Sequence, residues 1–338
     1  MQQNENNGVL QNAAPEKEKT SLKREPAAVR KPKGLTVVEC DCRECYWRLD
    51  RKGKNFEIFD PVSKYEQRRD VDLYHLCGVY GRMGVPADVR EISYGQYQQY
   101  RPSDGIPRNF SDLVCEAVKN GNAALVPAGF CMYAPAVAGG VQRALGKDRK
   151  LGLVWIDAHS DNRIAEERES TTFVGIPVSA MAGQTCSEWR KKSCGLEVPL
   201  KGENMLLSDI RICDEEGLRN IENAGITVLT SSDFENSRVW DSAVEDLASR
   251  TDAIYLSVDM DILRHEYTPA YIKNVPGGHT IERVMRNVRT VTGTGRVAAF
   301  SLFCADFDRY QDQGEWTYFN AMKIIAAGLE NWKTIPAV

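Results

Sequence analysis

Short apolar runs recur along this chain, separated by stretches whose apolar positions fall three and four apart. The runs predict strands at 35–38, 123–127, 151–156, 205–210, 226–229 and 297–303, with another starting at Ala253. The helical spacing predicts helices over 135–145, 178–182, 215–223, 240–249, 281–291 and 318–332. Strands alternating with helices of this length imply an α/β fold, a three-layer αβα arrangement with a mostly parallel, doubly wound sheet. The region 47–104 has mixed apolar positions and many charges, and yields only one expected strand and one expected helix. Residues 1–34 are rich in Gln, Asn, Glu, Lys and Pro and poor in large apolar side chains, so they are expected to form a mobile tail. Residues 35–338 are expected to form a single α/β domain, and no internal repeat is visible.

Two of the apolar runs end in the same chemistry. The run to Ile156 continues Asp157-Ala158-His159-Ser160-Asp161, placing three oxygen or nitrogen donors two residues apart. In a doubly wound fold, ligands gather outside the carboxyl ends of the strands, which is where these side chains fall. Taken alone, the stretch also reads as a helix cap or turn built by Asp157 or Asp161, with His159 on the surface. The run from Ala253 decides between the readings by repeating the design as Ser257-Val258-Asp259-Met260-Asp261. Acids from two strand tips would bury several negative charges together, an arrangement tolerated when a cation lies among them. A metal centre is therefore expected.

Bulk composition narrows the function classes. The chain has 338 residues, 42% hydrophobic and 27% charged, with a net charge of −4, which gives no reason to expect nucleic acid as a partner. No apolar run is long enough to span a bilayer and no signal pattern opens the chain, so a cytoplasmic location without membrane contact is expected. The 10 cysteines are scattered irregularly, as suits a reducing compartment. Cys40, Cys42 and Cys45 are spaced like zinc ligands, but no second cluster follows to complete a site.

With both acid clusters in place, the chain resembles the ureohydrolases, the family of arginase, agmatinase and formiminoglutamase. Their DAHxD motif is matched by 157–161 and their SxDxD motif by 257–261, and a Pro- and Gly-rich segment similar to theirs falls at Pro276-Gly277-Gly278. The resemblance runs from about Asn120 to the last helix and is poor over the first hundred residues. It implies an arginase-like fold and a homo-oligomer acting on a small molecule. It also implies two Mn²⁺ ions, bridged by Asp157 and Asp259, with Asp161 completing one set and His159 with Asp261 the other. Asp161 and Asp259 are the ligands expected to bear on catalysis. The implied reaction is hydrolysis of a C–N bond in a guanidino, amidino or formimino compound by metal-bound hydroxide.

The departures from the family pattern carry as much information. Where the family places its first ligand, a His, this chain has Cys131. Where arginases place a proton-shuttling His it has Val174, and where they hold the guanidinium with a Glu it has Cys304. The resemblance offers Arg163, Ser170, Asp214 and Cys304 as substrate contacts, and Arg211 as a maker of structural ion pairs. Because each replaced group had a chemical task, a second reading stands beside the hydrolase: a non-catalytic member acting in binding or assembly. In a third, Cys131 and Cys304 approach within disulfide range and gate the site.

Overall fold

The computed structural model describes residues 28–40, 47–59, 70–92, 99–269, 275–305 and 314–337. At its centre is a sheet whose strands, in chain order, are β1 (Leu35–Glu39), β2 (Ala87–Glu91), β3 (Ala123–Val126), β4 (Leu151–His159), β5 (Met205–Ile212), β6 (Thr227–Leu229), β7 (Ala253–Asp259) and β8 (Val297–Phe303). They stand side by side in the order β6-β5-β4-β7-β8-β3-β1-β2, and every pairing is parallel. Parallel neighbours need crossover connections, and the crossover helices cover both faces. Hence β7 and β8 are buried at every position and read in the sequence as unbroken apolar runs. This is the three-layer αβα architecture the alternation implied.

The helical layers rest on α1 (Pro102–Asn120), α2 (Ala134–Leu145), α3 (Glu215–Ala224), α4 (Ser237–Arg250), α5 (Ile281–Gly293) and α6 (Gly314–Asn331). Helix α1 packs on α2, and α5 lies between α4 and α6. The α1–α2 contact is close because Gly140 presents no side chain: a Cβ there would lie 2.7 Å from the Ser111 carbonyl oxygen. Helix α1 escaped the sequence pattern because Pro102, Gly105 and Pro107 interrupt it. Pro102 occupies the first turn, where an amide donor is not needed. Pro107 deprives the Ser103 carbonyl of its helical donor, and Trp189 Nε1 donates to that oxygen instead at 2.8 Å.

The region 47–104 holds more structure than its sequence suggested. Arg48–Lys52, Asn55–Phe59 and Ser170–Thr172 form a separate antiparallel sheet. Asp70–Leu76 is helical, and β2 is an edge strand exposed at every position. Strand β2 is charged and solvent-facing, and Arg48–Lys52 buries only Leu49 among charged residues, so neither shows an apolar run in the sequence. Residues 1–27, with most of the expected tail, lie outside the described residues, as do Cys42 and Cys45. Within the stretch expected to be tail, Val29–Arg30 pairs antiparallel with Ile335–Pro336. Among the described residues no helix is long and apolar enough to cross a membrane.

Candidate metal centre

The pocket is built at the carboxyl ends of four adjacent strands, β4, β7, β8 and β3. Strand β4 extends through Asp157 to His159, beyond the expected end at 156, so these two side chains share one face of it. Asp161 then leaves the strand direction in a left-handed conformation with φ 45. A carboxylate oxygen of Asp157 accepts the backbone N–H of His159 at 2.6 Å, and one of Asp259 accepts that of Asp261 at 3.0 Å. The two motifs thus form the same Asx turn twice, which orients each first aspartate. Asp261 joins the strands, accepting the Ala158 N–H at 3.0 Å and meeting His159 Nδ1 at 2.6 Å.

The potential ligand atoms fall into two groups, in each of which all atoms lie within 4.8 Å of one another: Asp157, His159 and Asp261, and Cys131, Asp259 and Cys304. Cys131 opens a short turn after β3, and Cys304 follows the last residue of β8. Gly129 sets the approach to Cys131, with φ 100 and no room for a Cβ, which would meet the Tyr133 ring at 2.9 Å. Asp161 accepts a hydrogen bond from the Cys131 thiol and also senses His159 and Asp261, which places it beside both groups.

Electrostatically the pocket holds more acids than cations: four aspartates face one imidazole. Burial, then repulsion from neighbouring aspartates, pushes Asp157 and Asp259 well above the usual carboxylate range. Asp161 is raised to about 7, chiefly by burial. Burial opposes a charged His159, yet the hydrogen bond and charge of Asp261 raise it to about 9. For Asp261 the contacts with His159 overcome burial and hold its carboxyl below the usual value. One atom remains unserved: Asp157 Oδ2 is buried and accepts no hydrogen bond. A buried carboxylate oxygen without a donor, facing an imidazole and a second carboxylate, suits a hard divalent cation of the Mn²⁺ kind. The group containing Cys131 and Cys304 does not suit Mn²⁺, because two of its three donors are sulfur.

The model of the arginase family matches residues 59–327. The chain belongs to the arginase family. The match begins well upstream of Asn120, where the motifs alone had placed the start of the resemblance, and it takes in α1. An arginase from Staphylococcus aureus (strain MRSA252) is 30% identical over 255 residues, covering 68% of this chain and 82% of that protein. One from Bacillus caldovelox is 29% identical over 242 residues, covering 65% and 80%. Among solved structures, arginase from Bacillus cereus superposes with a TM-score of 0.67 at 21% identity, covering 88% of this chain and 98% of that one. Formimidoylglutamase from Bacillus subtilis superposes with a TM-score of 0.63 at 13% identity, covering 90% and 88%. At such identities the superpositions speak for the fold.

Around this arginase-family pocket the other sequence candidates are distributed unevenly. Arg163 is exposed, and its charge lowers the carboxyls of both Asp161 and Asp214. Ser170 lies in the small antiparallel sheet, where its hydroxyl accepts from Arg48 Nε at 2.7 Å. Asp214 caps α3, accepting the Gly217 N–H at 2.8 Å, and its other oxygen faces Arg168 at 3.4 Å. Cys304 falls among the potential metal ligands. Val174 contributes its carbonyl, which the Cys131 thiol approaches at 3.7 Å. Cys131 and Cys304 are both free thiols.

One strand over lies a network in which Arg211 makes the structural ion pair the sequence led one to expect. Asp209, in register with Asp157, is ion-paired with Arg211 and accepts from Ser231. His279 is buried, with Nε2 3.3 Å from Asp209 and Nδ1 2.6 Å from Glu235. Arg211 also donates to the Asp261 carbonyl at 2.7 Å, so the network braces a residue of the pocket. Glu235 carried no signal, because it is distant in sequence and belongs to no motif.

Proposed function

We propose that this chain is a metal-dependent hydrolase of the ureohydrolase type, cleaving a C–N bond in a guanidino, amidino or formimino compound. The observation that supports it is the convergence of Asp157, His159 and Asp261 within 4.8 Å, with Asp157 Oδ2 left without a donor. Asp157, His159, Asp161, Asp259 and Asp261 would hold divalent cations, and Asp161 and Asp259 are the ligands assigned to catalysis. Such cations, when bound, supply Lewis acidity and an acidified water.

The protein's own residues then select and orient the substrate. Arg163, exposed just past the first motif, is suited to take an acidic group of the substrate through a forked pair of hydrogen bonds. Ser170 and Asp214 have polar atoms engaged by Arg48 and by the end of α3, which favours a supporting role. Val174 cannot carry a proton to a departing amine, so substrates whose leaving nitrogen needs no protein acid are favoured. The protein is assigned to the cytoplasm as a homo-oligomer.

The test is metal analysis of the purified chain before and after Mn²⁺ loading, followed by assays of urea, ammonia or formamide release from a guanidine, amidine and formimino panel. Roughly two cations per chain and one turned-over substrate are expected. A chain that retains no divalent ion in either state refutes the proposal. Val174, together with thiols in place of other family side chains, favours the second reading, a non-catalytic binding or assembly protein. Full cation occupancy with every substrate inert would support that reading.

A further inference from the structure

Cys131 and Cys304 approach each other by deliberate backbone geometry. Cys131 follows β3 and Cys304 follows β8, which are neighbours in the sheet, and the Cys304 N–H donates to the Gly129 carbonyl at 2.8 Å, tying the two loops together. Cys304 holds φ 63, a left-handed conformation that costs a non-glycine residue energy and is kept where surrounding structure enforces it. If this position needed only a turn, glycine would supply it without strain. Both sulfurs and an Asp259 oxygen lie within 4.8 Å of one another, all in buried residues.

We propose that Cys131, Cys304 and Asp259 form a thiolate cation site selective for a thiophilic divalent ion of the zinc class, so that the pocket is chemically divided. The half made by Asp157, His159 and Asp261 takes a hard ion; the half containing the cysteines takes a soft one. Sulfur donors favour Zn²⁺ and its surrogates Co²⁺ and Cd²⁺, whereas Mn²⁺ favours oxygen. On binding, each thiol forms a sulfur–metal bond and gives its proton to solvent, with no change of oxidation state. This assignment moves Cys304 from substrate contact to ligand. It rests on reading the pocket as a cation centre, but not on hydrolysis.

The test is anaerobic titration of the reduced, full-length protein with Co²⁺, followed by thiolate-to-cobalt charge-transfer absorption in the near ultraviolet and by metal analysis. The band is expected in the wild type, bleached by equimolar Zn²⁺ and untouched by a roughly hundredfold excess of Mn²⁺. The Cys131→Ser/Cys304→Ser variant, with its fold checked by circular dichroism, should lose the band and the cation that produces it while still binding Mn²⁺. Each single Ser variant should weaken the band. Cobalt bound without sulfur absorption, or a band displaced by Mn²⁺ as readily as by Zn²⁺, overturns this inference and leaves the hydrolase proposal standing. No divalent ion bound by wild type or variant overturns both.

Discussion

Asp157 and Asp209 are register partners on β4 and β5, yet the protein treats them oppositely. Burial alone would push both carboxyls up. At Asp209, the His279 imidazole 3.3 Å away, the hydrogen bond from Ser231 and the charge of Arg211 more than offset it, and the group sits below its ordinary value. At Asp157 the His159 N–H on Oδ1 offsets too little of it: the carboxylates of Asp261, Asp259 and Asp161 add to the effect of burial, and Oδ2 has no donor. Proximity of acids therefore does not itself mark a metal site. What marks this one is that the protein neutralises the neighbouring carboxylate from its own side chains and leaves this one for something from outside.

The largest effect that would break the contrast comes from deleting each carboxylate in turn. Asp209→Ala leaves Arg211 without its acid and should cost about 3 kcal/mol of unfolding free energy, read by urea denaturation. Asp157→Asn in metal-free protein should be neutral or stabilising, because it relieves repulsion. Equal losses from the two variants would end the distinction. Next in size is the cation itself: Mn²⁺ at a hundred times its dissociation constant should stabilise the wild type by about 2.7 kcal/mol. Asp157→Asn should lose most of that gain, whereas Asp241→Asn, at the half-buried pair with Arg286 outside the pocket, should keep it.

What the sequence made legible follows the same division. Buried parallel strands show as apolar runs, and ligand motifs at their tips stay contiguous in the chain, so β4, β7 and their acids could be read directly. The network around Asp209 draws in His279, and through it Glu235 and Arg283, from separate elements that no spacing links. Helix α1 was hidden by prolines whose cost is met by Trp189, far along the chain. Strand β2, exposed throughout, and Arg48–Lys52, which buries only Leu49, had no apolar run to betray them. Cys304 was visible as a departure at a strand end and was set beside Cys131, but that Asp259 joins the two sulfurs needed the sheet order, which composition and periodicity do not encode.

The uncompensated pocket should also show in the pH dependence of metal-free stability. Asp161 rises from 3.8 to about 7 on folding and His159 from 6.5 to about 9. The native state therefore holds protons that the unfolded chain has released. The stability these groups contribute is fully present below the unfolded values and is lost as pH rises through about 7 and then about 9. Asp209 and Asp261 have the opposite sign, and lose their contribution only as pH falls below the ordinary carboxylate range. Thermal unfolding should thus show metal-free stability declining from about pH 4 to 9, and saturating divalent cation should flatten that decline by replacing the protons. A metal-free profile that rises across the same window would mean the acids are already neutralised within the protein.

The smallest effect concerns Asp214, which the family resemblance assigns to substrate and the structure shows capping α3. A cap exchanged for Ala costs about 1 kcal/mol, and serine at the same position recovers most of it because its oxygen still accepts the Gly217 N–H. Substrate contact makes a different demand, since serine cannot supply the negative charge. If Asp214 only caps, Asp214→Ser should match the wild type in both stability and KM, while Asp214→Ala loses stability alone. If it also meets the substrate, both variants should raise KM by the same factor despite their different stabilities. Assigned to the cap, Asp214 belongs with Asp209 among the acids the protein satisfies itself, and the expected result is an unchanged KM for Asp214→Ser.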